Sequence, residues 1–211
     1  MNTAGIGLNE PQQIDWDNYN PGSKYSVPPP AKGPDGKALV YTGQLPTTVV
    51  NEADDNNFRR YLFDPIKLVK NGGSADGYVI RFTRASIKPF ERDGKPQNAS
   101  AAGNVLRSAG AVGKPQKTAE YDAAMQQVKG RVVSFTIDWE ARNKDTGEKV
   151  SGYDNFPLDP DRPGQRKAIL KQGDTYTVSD RQGNILETKT VQSEVLFANA
   201  RVKYFVDPSR K

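Results

Sequence analysis

The alternation of apolar and polar residues is the clearest pattern in this chain, and it predicts β-strands. The strongest example is Arg131–Ala141, where every second residue is apolar: Val133, Phe135, Ile137 and Trp139. A period of two is typical of a strand with one buried face. This segment is therefore predicted to be a core strand whose opposite face carries Ser134, Thr136, Asp138 and Glu140.

Other segments share this period. In Tyr78–Ile87 we expect Tyr78, Ile80 and Phe82 to point into the core and Arg81 and Thr83 to point outward. In Val195–Val206 the predicted inward row is Leu196, Ala198, Ala200, Val202, Tyr204 and Val206, and the outward row is Asn199, Arg201, Lys203 and Phe205. A short strand at Pro65–Lys70 and a hairpin that pairs Tyr176–Ser179 with Ile185–Thr190 complete the predicted strands.

Helices are predicted at three places, from capping residues and helical spacing. Ser100 is the expected cap of Ala101–Ala109, and Thr118 that of Ala119–Val128, with a glycine after each helix. Residues 51–61 begin with Asn51 and acidic residues, which favours a short helix there. Strands still outnumber helices, so we expect a mainly β protein with a few short helices, in the form of an OB-like antiparallel barrel.

Proline and glycine divide the chain into two predicted regions. Residues 1–46 lack a sustained period, contain three consecutive prolines from Pro28 to Pro30, and are predicted to be an extended arm. Residues 47–211 are predicted to be the barrel domain, with a helical insertion around 100–129. Because the arm also contains Trp16, Tyr19 and Tyr25, we expect it to lie along its own domain or along another subunit of a homo-oligomer.

The composition excludes several kinds of chemistry. The 211 residues include no Cys and no His, which rules out disulfides, thiolate or imidazole metal sites and catalysis by a histidine base. No catalytic site is recognisable, so we expect a binding protein without a cofactor. No signal peptide or run of about 18 apolar residues is found, which favours a cytoplasmic location.

The positive charge is concentrated after residue 77. Residues 1–77 contain seven Lys or Arg and nine Asp or Glu, so the net charge of +5 comes from the later part of the chain. Basic residues alternate there with aromatic ones, a combination that holds phosphates and stacks on bases. The predicted nucleic-acid-binding residues are Arg81, Arg84, Lys88, Phe90, Arg131, Arg142, Tyr153, Arg201, Lys203 and Phe205.

Two carboxylates on the same strand face suggest an alternative function, that of a metal-dependent nuclease. Asp138 and Glu140, followed by Arg142, have a spacing that can bind Mg²⁺ in a nuclease. Such a site normally needs a further acid and a lysine, which the sequence does not clearly provide. A polar strand face is the simpler interpretation.

The order of elements between Ala99 and Pro157 resembles a known group of proteins. A helix ending in Leu106-Arg107-Ser108-Ala109-Gly110 is followed by a second helix, a strand that opens with Gly130-Arg131-Val132-Val133, and a Gly-Tyr and Asn-Phe loop. About a third of the chain thus resembles phage single-stranded DNA-binding or recombination-accessory proteins with OB-like folds. The resemblance implies a single-stranded DNA groove lined by outward strand residues, and a role in phage DNA replication or recombination in the bacterial cytoplasm.

One feature departs from that group, and one alternative function competes with it. Bacterial-type single-strand binders commonly end in an acidic tail that recruits partners, whereas this chain ends in Asp207-Pro208-Ser209-Arg210-Lys211, which is basic. RNA is an alternative ligand. The alternative function is that of a phage structural or assembly protein, in which the N-terminal arm ties subunits together and the positive charge is incidental.

Overall fold

The computed structural model describes residues 27–53, 57–69, 78–92, 94–111, 113–180 and 182–206. These residues belong to two compact units. The Phe135 unit contains the described residues of 40–69, 79–137 and 202–206, and the Trp139 unit contains those of 27–39, Tyr78 and 138–201. Two long strands continue from one unit into the other, because the divisions fall after Ile137 and after Arg201.

Fourteen strands and two α-helices are found among the described residues. The strands are β1 Val40–Gln44, β2 Val50–Ala53, β3 Arg59–Phe63, β4 Ile66–Val69, β5 Val79–Ile80, β6 Thr83–Ser86, β7 Pro89–Arg92, β8 Lys95–Ser100, β9 Val132–Arg142, β10 Lys149–Ser151, β11 Ile169–Lys171, β12 Thr175–Ser179, β13 Ile185–Thr190 and β14 Val195–Val206. The helices are α1 Ala101–Ser108 and α2 Thr118–Gln127, and a 3₁₀ turn covers Tyr153–Asn155.

The largest sheet has seven strands, in the order β11, β14, β9, β1, β4 and β5, with β10 also paired to β9. The remaining strands form the three-stranded sheet β2-β3-β6 and the two hairpins β7-β8 and β12-β13. Antiparallel pairing joins β1 to β9 and to β4, β3 to β2 and to β6, and β12 to β13. The mainly β, antiparallel prediction is confirmed, and no closed barrel forms among the described residues.

The core of the Phe135 unit forms on the apolar row of β9. Val133 and Phe135 are buried as predicted, and Phe205 of β14 packs edge-on against Phe135, with ring centroids 5.9 Å apart. Gly43 of β1 lies opposite Val133, where a Cβ atom would come within 2.9 Å of the Phe135 ring. The absence of a side chain at Gly43 lets β1 pass beside this ring.

Both predicted helices around 100–129 form in the Phe135 unit. Ser100 caps α1, its hydroxyl accepting a hydrogen bond from the Gly103 amide at 3.1 Å. α2 contributes the fully buried Met125, and its Asp122 accepts a hydrogen bond from the Tyr61 hydroxyl of β3 at 2.7 Å. Burial, reinforced by this bond to a carboxylate, raises the pKa of Tyr61. The phenol therefore stays protonated and links α2 to the inner face of β3.

The core of the Trp139 unit surrounds the Trp139 ring. Tyr153 and Phe156 pack edge-on against it, with ring centroids 4.7 and 5.4 Å away. The Trp139 indole nitrogen donates to the carbonyl of Pro29 at 2.8 Å, and Pro29 is itself buried. This part of the proline-rich segment is therefore an integral part of the unit's core.

The structure corrects two predictions near the N-terminus. Residues 1–26 of the predicted arm lie outside the described residues, but residues 40–44 form β1, which lies between β9 and β4 in the large sheet. The predicted arm, residues 1–46, therefore includes β1, which is a strand of the large sheet. The helix predicted over 51–61 is also wrong, because residues 51–53 belong to β2 and residues 59–61 to β3, and these strands pair with Glu52 opposite Arg60. Tyr61 and Phe63 of β3 then fill the core.

Candidate nucleic-acid interface

The segment predicted as one strand over Tyr78–Ile87 is interrupted at Phe82. β5 pairs with β4 in the large sheet, and β6 pairs with β3 in the three-stranded sheet. Phe82, between the two strands, has a φ of 55°, in the left-handed region that non-glycine residues seldom occupy. The expected alternation therefore shifts after Ile80: Thr83 is buried, and Phe82 is 46% exposed.

A network of contacts holds this corner of the chain. The carboxylate of Asp64, in the connection between β3 and β4, accepts a hydrogen bond from the Phe82 amide at 3.3 Å. It also forms an ion pair with Arg81, with Nε and Oδ1 2.8 Å apart. The Arg81 guanidinium lies over the Phe82 ring, 5.4 Å from its centroid, at a distance typical of a cation–π contact. The Phe82 ring is thus exposed and flanked by a cation.

Two arginines share one carboxylate on the outer face of the three-stranded sheet. Arg60 of β3 and Arg84 of β6 each donate from Nε to the same Glu52 oxygen, at 3.0 and 3.1 Å. The pairing of Glu52 with Arg60 places both on the face opposite the buried Tyr61. Two guanidiniums and one carboxylate leave this group with a net positive charge.

The arginines determine the ionisation of Glu52. The hydrogen bond from Arg84 is the largest influence on the pKa of Glu52; burial opposes it, and Arg60 adds to the lowering. The net pKa lies below the ordinary value. Glu52 is therefore ionised at neutral pH and orients both guanidiniums.

Two more predicted residues follow β6 along the chain. Lys88 lies in the connection to β7, where its amide donates to the Ser86 hydroxyl at 3.0 Å, and Phe90 of β7 is 45% exposed. We define the β6 surface as the outer-face group and the residues on either side of β6: Glu52, Arg60, Arg81, Phe82, Arg84, Lys88 and Phe90. Four of the predicted binding residues, Arg81, Arg84, Lys88 and Phe90, thus lie along one continuous run of the Phe135 unit.

Two predicted stacking residues are buried. Tyr153 is 6% exposed beneath Trp139, and Phe205 is 7% exposed against Phe135. The predicted outward orientation of Phe205 is wrong, as is the inward one of Tyr204, which is 48% exposed. The covered face of β14 changes along its length: Leu196, Ala198 and Ala200 are buried in the Trp139 unit, whereas Phe205 is buried in the Phe135 unit.

Other predicted cations lie elsewhere. Arg131 is exposed and donates to the Ala109 carbonyl at 3.2 Å, which satisfies the end of α1. Lys203 is exposed on β14. The structure does not place either of them in the β6 surface.

A second basic group lies in the Trp139 unit, around Glu140. Lys149 and Arg201 approach the Glu140 carboxylate at 2.9 and 3.9 Å, and Arg142 pairs with Lys149 across β9 and β10. The described aromatic side chains of this unit are buried, except Phe197 of β14, which is half-buried. This group can hold a phosphate, but it has no ring as exposed as Phe82 or Phe90.

The geometry gives little support to a metal site at Asp138 and Glu140. The Oδ1 atom of Asp138 accepts hydrogen bonds from the amides of Tyr153 and Trp139, at 2.6 and 2.9 Å. Glu140 is paired with Lys149 and Arg201. Within the described part of the chain, no group of three or more acidic residues could hold a metal ion.

Three residues of the β6 surface were outside the predicted set. Glu52 and Arg60 were not predicted because their segment was expected to be a helix. The two-residue spacing of Tyr61 and Phe63 is, however, typical of a strand. Phe82 was assigned to the core because a left-handed φ cannot be recognised from the order of apolar and polar residues.

The chain matches no protein-family model, no curated protein and no solved structure. Within the described residues, neither helix has the length and apolar character needed to span a membrane. The function is therefore inferred from the geometry of the β6 surface.

Proposed function

We propose that this protein binds single-stranded nucleic acid, single-stranded DNA in particular, through the β6 surface. The observation that carries the proposal is the conformation of Phe82. Its ring is exposed, its backbone is left-handed, and a guanidinium lies over it. A role in phage DNA replication or recombination is part of the same proposal and depends on the resemblance of residues 99–157.

The backbone conformation of Phe82 is intrinsically unfavourable. A bulky residue in the left-handed region costs on the order of 1–3 kcal/mol, and such residues cluster at ligand sites. Burial of the ring does little to offset that cost, because nearly half of it stays exposed. An exposed aromatic ring is a stacking platform for a base of any sequence, worth roughly 1–3 kcal/mol per base.

The arginines beside Phe82 supply the phosphate contacts. Arg60 and Arg84 are oriented by Glu52, and each guanidinium has more donors than this carboxylate uses. Forked donors match the oxygens of a phosphate, so the arginines can hold a backbone phosphate beside a stacked base. Lys88 adds a further positive charge on the path to Phe90.

Phe82 and Phe90 are separated by eight residues, so their Cα atoms lie at most roughly 26 Å apart, at about 3.3 Å per residue. Comparable single-strand sites cover about 4–16 nucleotides. In this proposal the two rings stack on different bases of one strand, and the cations along the same segment contact its phosphates.

The proposal is tested by fluorescence anisotropy with labelled oligo(dT), titrated at several salt concentrations. Phe82→Ala is expected to weaken binding about 5- to 150-fold, the equivalent of roughly 1–3 kcal/mol, with an unchanged salt slope, because stacking releases no counterions. Arg84→Gln is expected to weaken binding and to reduce the log–log salt slope by about 0.7, the value for one phosphate contact. Oligo(U) in parallel measures the preference for DNA over RNA.

Matched controls are available outside the β6 surface. Tyr204→Ala removes an equally exposed ring, and Lys144→Gln removes an exposed charge in the Asn143–Gly147 turn. Both are expected to bind oligo(dT) as the wild type does. Absence of wild-type binding at about 50 mM salt, where electrostatic association is strong, would overturn the proposal, and so would equal losses in the control variants.

A further inference from the structure

The hairpin β12–β13 is firmly attached on one side and open on the other. Thr177 and Ser179 of β12 donate to the Asn155 side-chain oxygen at 3.0 and 2.7 Å, and Tyr176 is buried. All six residues of β13 are exposed, including Ile185 at 65% and Leu186 at 68%. Among the described residues β13 pairs with β12 alone, so its other edge is open.

Two carboxylates hold the base of the hairpin. Glu148 accepts from the amides of Gln192 and Ser193, at 3.0 and 2.8 Å. Asp174 accepts from the Lys167 ammonium at 2.7 Å, while its backbone carbonyl receives the Val191 amide at 2.8 Å. These bonds fix both ends of the hairpin base, so β13 presents its edge in a defined position.

The open edge carries backbone groups available for pairing. The Val191 amide points towards β12, and alternate residues of a strand direct their backbone groups to opposite edges. Lys189 and Glu187 therefore pair with β12, and Thr190 and Thr188 direct their amides and carbonyls to the open edge. A strand placed antiparallel to β13 would receive these groups in hydrogen-bonded pairs.

The side chains of β13 are complementary to a reversed copy of themselves. Glu187 and Lys189 lie on the same face, where they form an ion pair at 3.2 Å. In an antiparallel pair centred on Thr188, Glu187 stands opposite Lys189 of the second copy, and Lys189 opposite its Glu187. Both cross-strand contacts are then attractive, and opposite charges in this position stabilise an antiparallel pair.

We propose that β13 is a homodimer interface, at which two copies of this chain pair antiparallel about a two-fold axis through Thr188. Such symmetric pairing makes every contact twice. It joins two hairpins into a four-stranded sheet and covers part of Ile185 and Leu186. Because only short strands meet, the contact is small and we expect a weak, concentration-dependent dimer. This inference does not depend on nucleic-acid binding, which is assigned to the other unit.

A charge exchange tests this register. Glu187→Lys places two lysines opposite lysines, and Lys189→Glu places two glutamates opposite glutamates. By sedimentation velocity of the full chain, each single variant is expected to dimerise at least about tenfold more weakly than the wild type. An equimolar mixture of the two variants restores opposite charges at every contact, and the double exchange restores them within one chain. Both are expected to regain dimer.

The controls separate this interface from other effects. Lys144→Glu and Asp145→Lys change the net charge by the same amounts on an exposed turn of the same unit, and are expected to dimerise as the wild type does. A wild-type protein that stays monomeric up to high micromolar concentrations overturns the proposal. So does a dimer that the single variants leave unchanged, or one that the mixture and the double exchange fail to restore.

Discussion

β9 and the run from Tyr78 to Phe90 have similar sequence patterns but different structures. β9 keeps its alternation over eleven residues, and Val133, Phe135, Ile137 and Trp139 are all at most 3% exposed. The other run changes from one sheet to another at Phe82, and from there its aromatic residues are exposed. Aromatic rings in the regular strand build the core, whereas those in the interrupted run are available to a ligand.

The difference shows how one irregular backbone angle can change which side chains of a strand are exposed. Each residue of a strand faces the side opposite to its neighbours, so a single irregular residue exchanges the faces of everything that follows. At Phe82 this exchange buries Thr83 and exposes the ring. The β6 surface is therefore a consequence of the corner between β5 and β6 as much as of its basic residues.

The largest expected effect comes from the same truncation made in each region. Phe135→Ala should lower the free energy of unfolding by about 3–5 kcal/mol, because Phe135 is fully buried and the truncation leaves a cavity. Phe90→Ala should cost less than about 1 kcal/mol, since the ring is half exposed. Urea unfolding followed by circular dichroism measures both. Similar losses at the two sites would mean that Phe90 belongs to a core.

A smaller effect, of opposite sign in the two regions, tests the left-handed backbone. At Phe82 glycine should give a more stable protein than alanine by roughly 1 kcal/mol, because glycine adopts a positive φ without strain. At Val132, an equally exposed residue of the regular β9, alanine should be more stable than glycine by about 0.5–1 kcal/mol. Thermal unfolding of the four variants compares the two differences. If alanine is more stable than glycine at Phe82 as well, the backbone at Phe82 is that of an ordinary strand.

The smallest expected effect concerns the ionisation of Glu52. Its pKa is lowered in the folded protein, so it adds stability above its ordinary pKa of about 4 and loses it as the pH falls through the lower folded value. The loss should stay below about 1 kcal/mol, because the ion pairs are partly exposed.

The same ionisation should matter for ligand binding. Glu52 orients Arg60 and Arg84, but its negative charge also repels a phosphate, and a glutamine oxygen can still accept from both arginines. Glu52→Gln should therefore bind oligo(dT) a few-fold more tightly at pH 7. Wild-type affinity should rise towards that of the variant as the pH falls below about 4. Anisotropy titrations across this range provide the measurement. Weaker binding by Glu52→Gln at pH 7 would mean that the orientation of the arginines by a charged carboxylate outweighs its repulsion of phosphate.

Regular, locally determined elements could be predicted from the sequence. β9, β14, the β12–β13 hairpin and α1 with its Ser100 cap all lie where the pattern places them. Each depends on a period or a cap that a few neighbouring residues determine. Whether the sheet closes into a barrel could not be predicted in this way, because closure depends on which strands meet across the sheet, and alternation carries no information on that choice.

The sequence predicted only those residues of the β6 surface that belong to a run of basic residues alternating with aromatic ones. Arg84, Lys88 and Phe90 belong to such a run, and they lie on the β6 surface. Arg60 and Glu52 come from a segment whose acidic start suggested a helix, but pairing with β6 made it a strand. Phe205 was misplaced because an element crossing between two units is covered on different faces in each.

The central place of β1 in the sheet has a consequence for the order in which the chain folds. Gln44 pairs with Lys67 of β4, which is close in sequence, whereas Val40 pairs with Thr136 of β9, far along the chain. Pairs that close long loops form slowly, since they lose more chain entropy before any contact compensates it. During synthesis β1 and β4 can therefore pair first, and the backbone groups on the other edge of β1 have no partner until β9 has been synthesised. β9 can join them only later, and β10, β14 and β11 can be added only after β9.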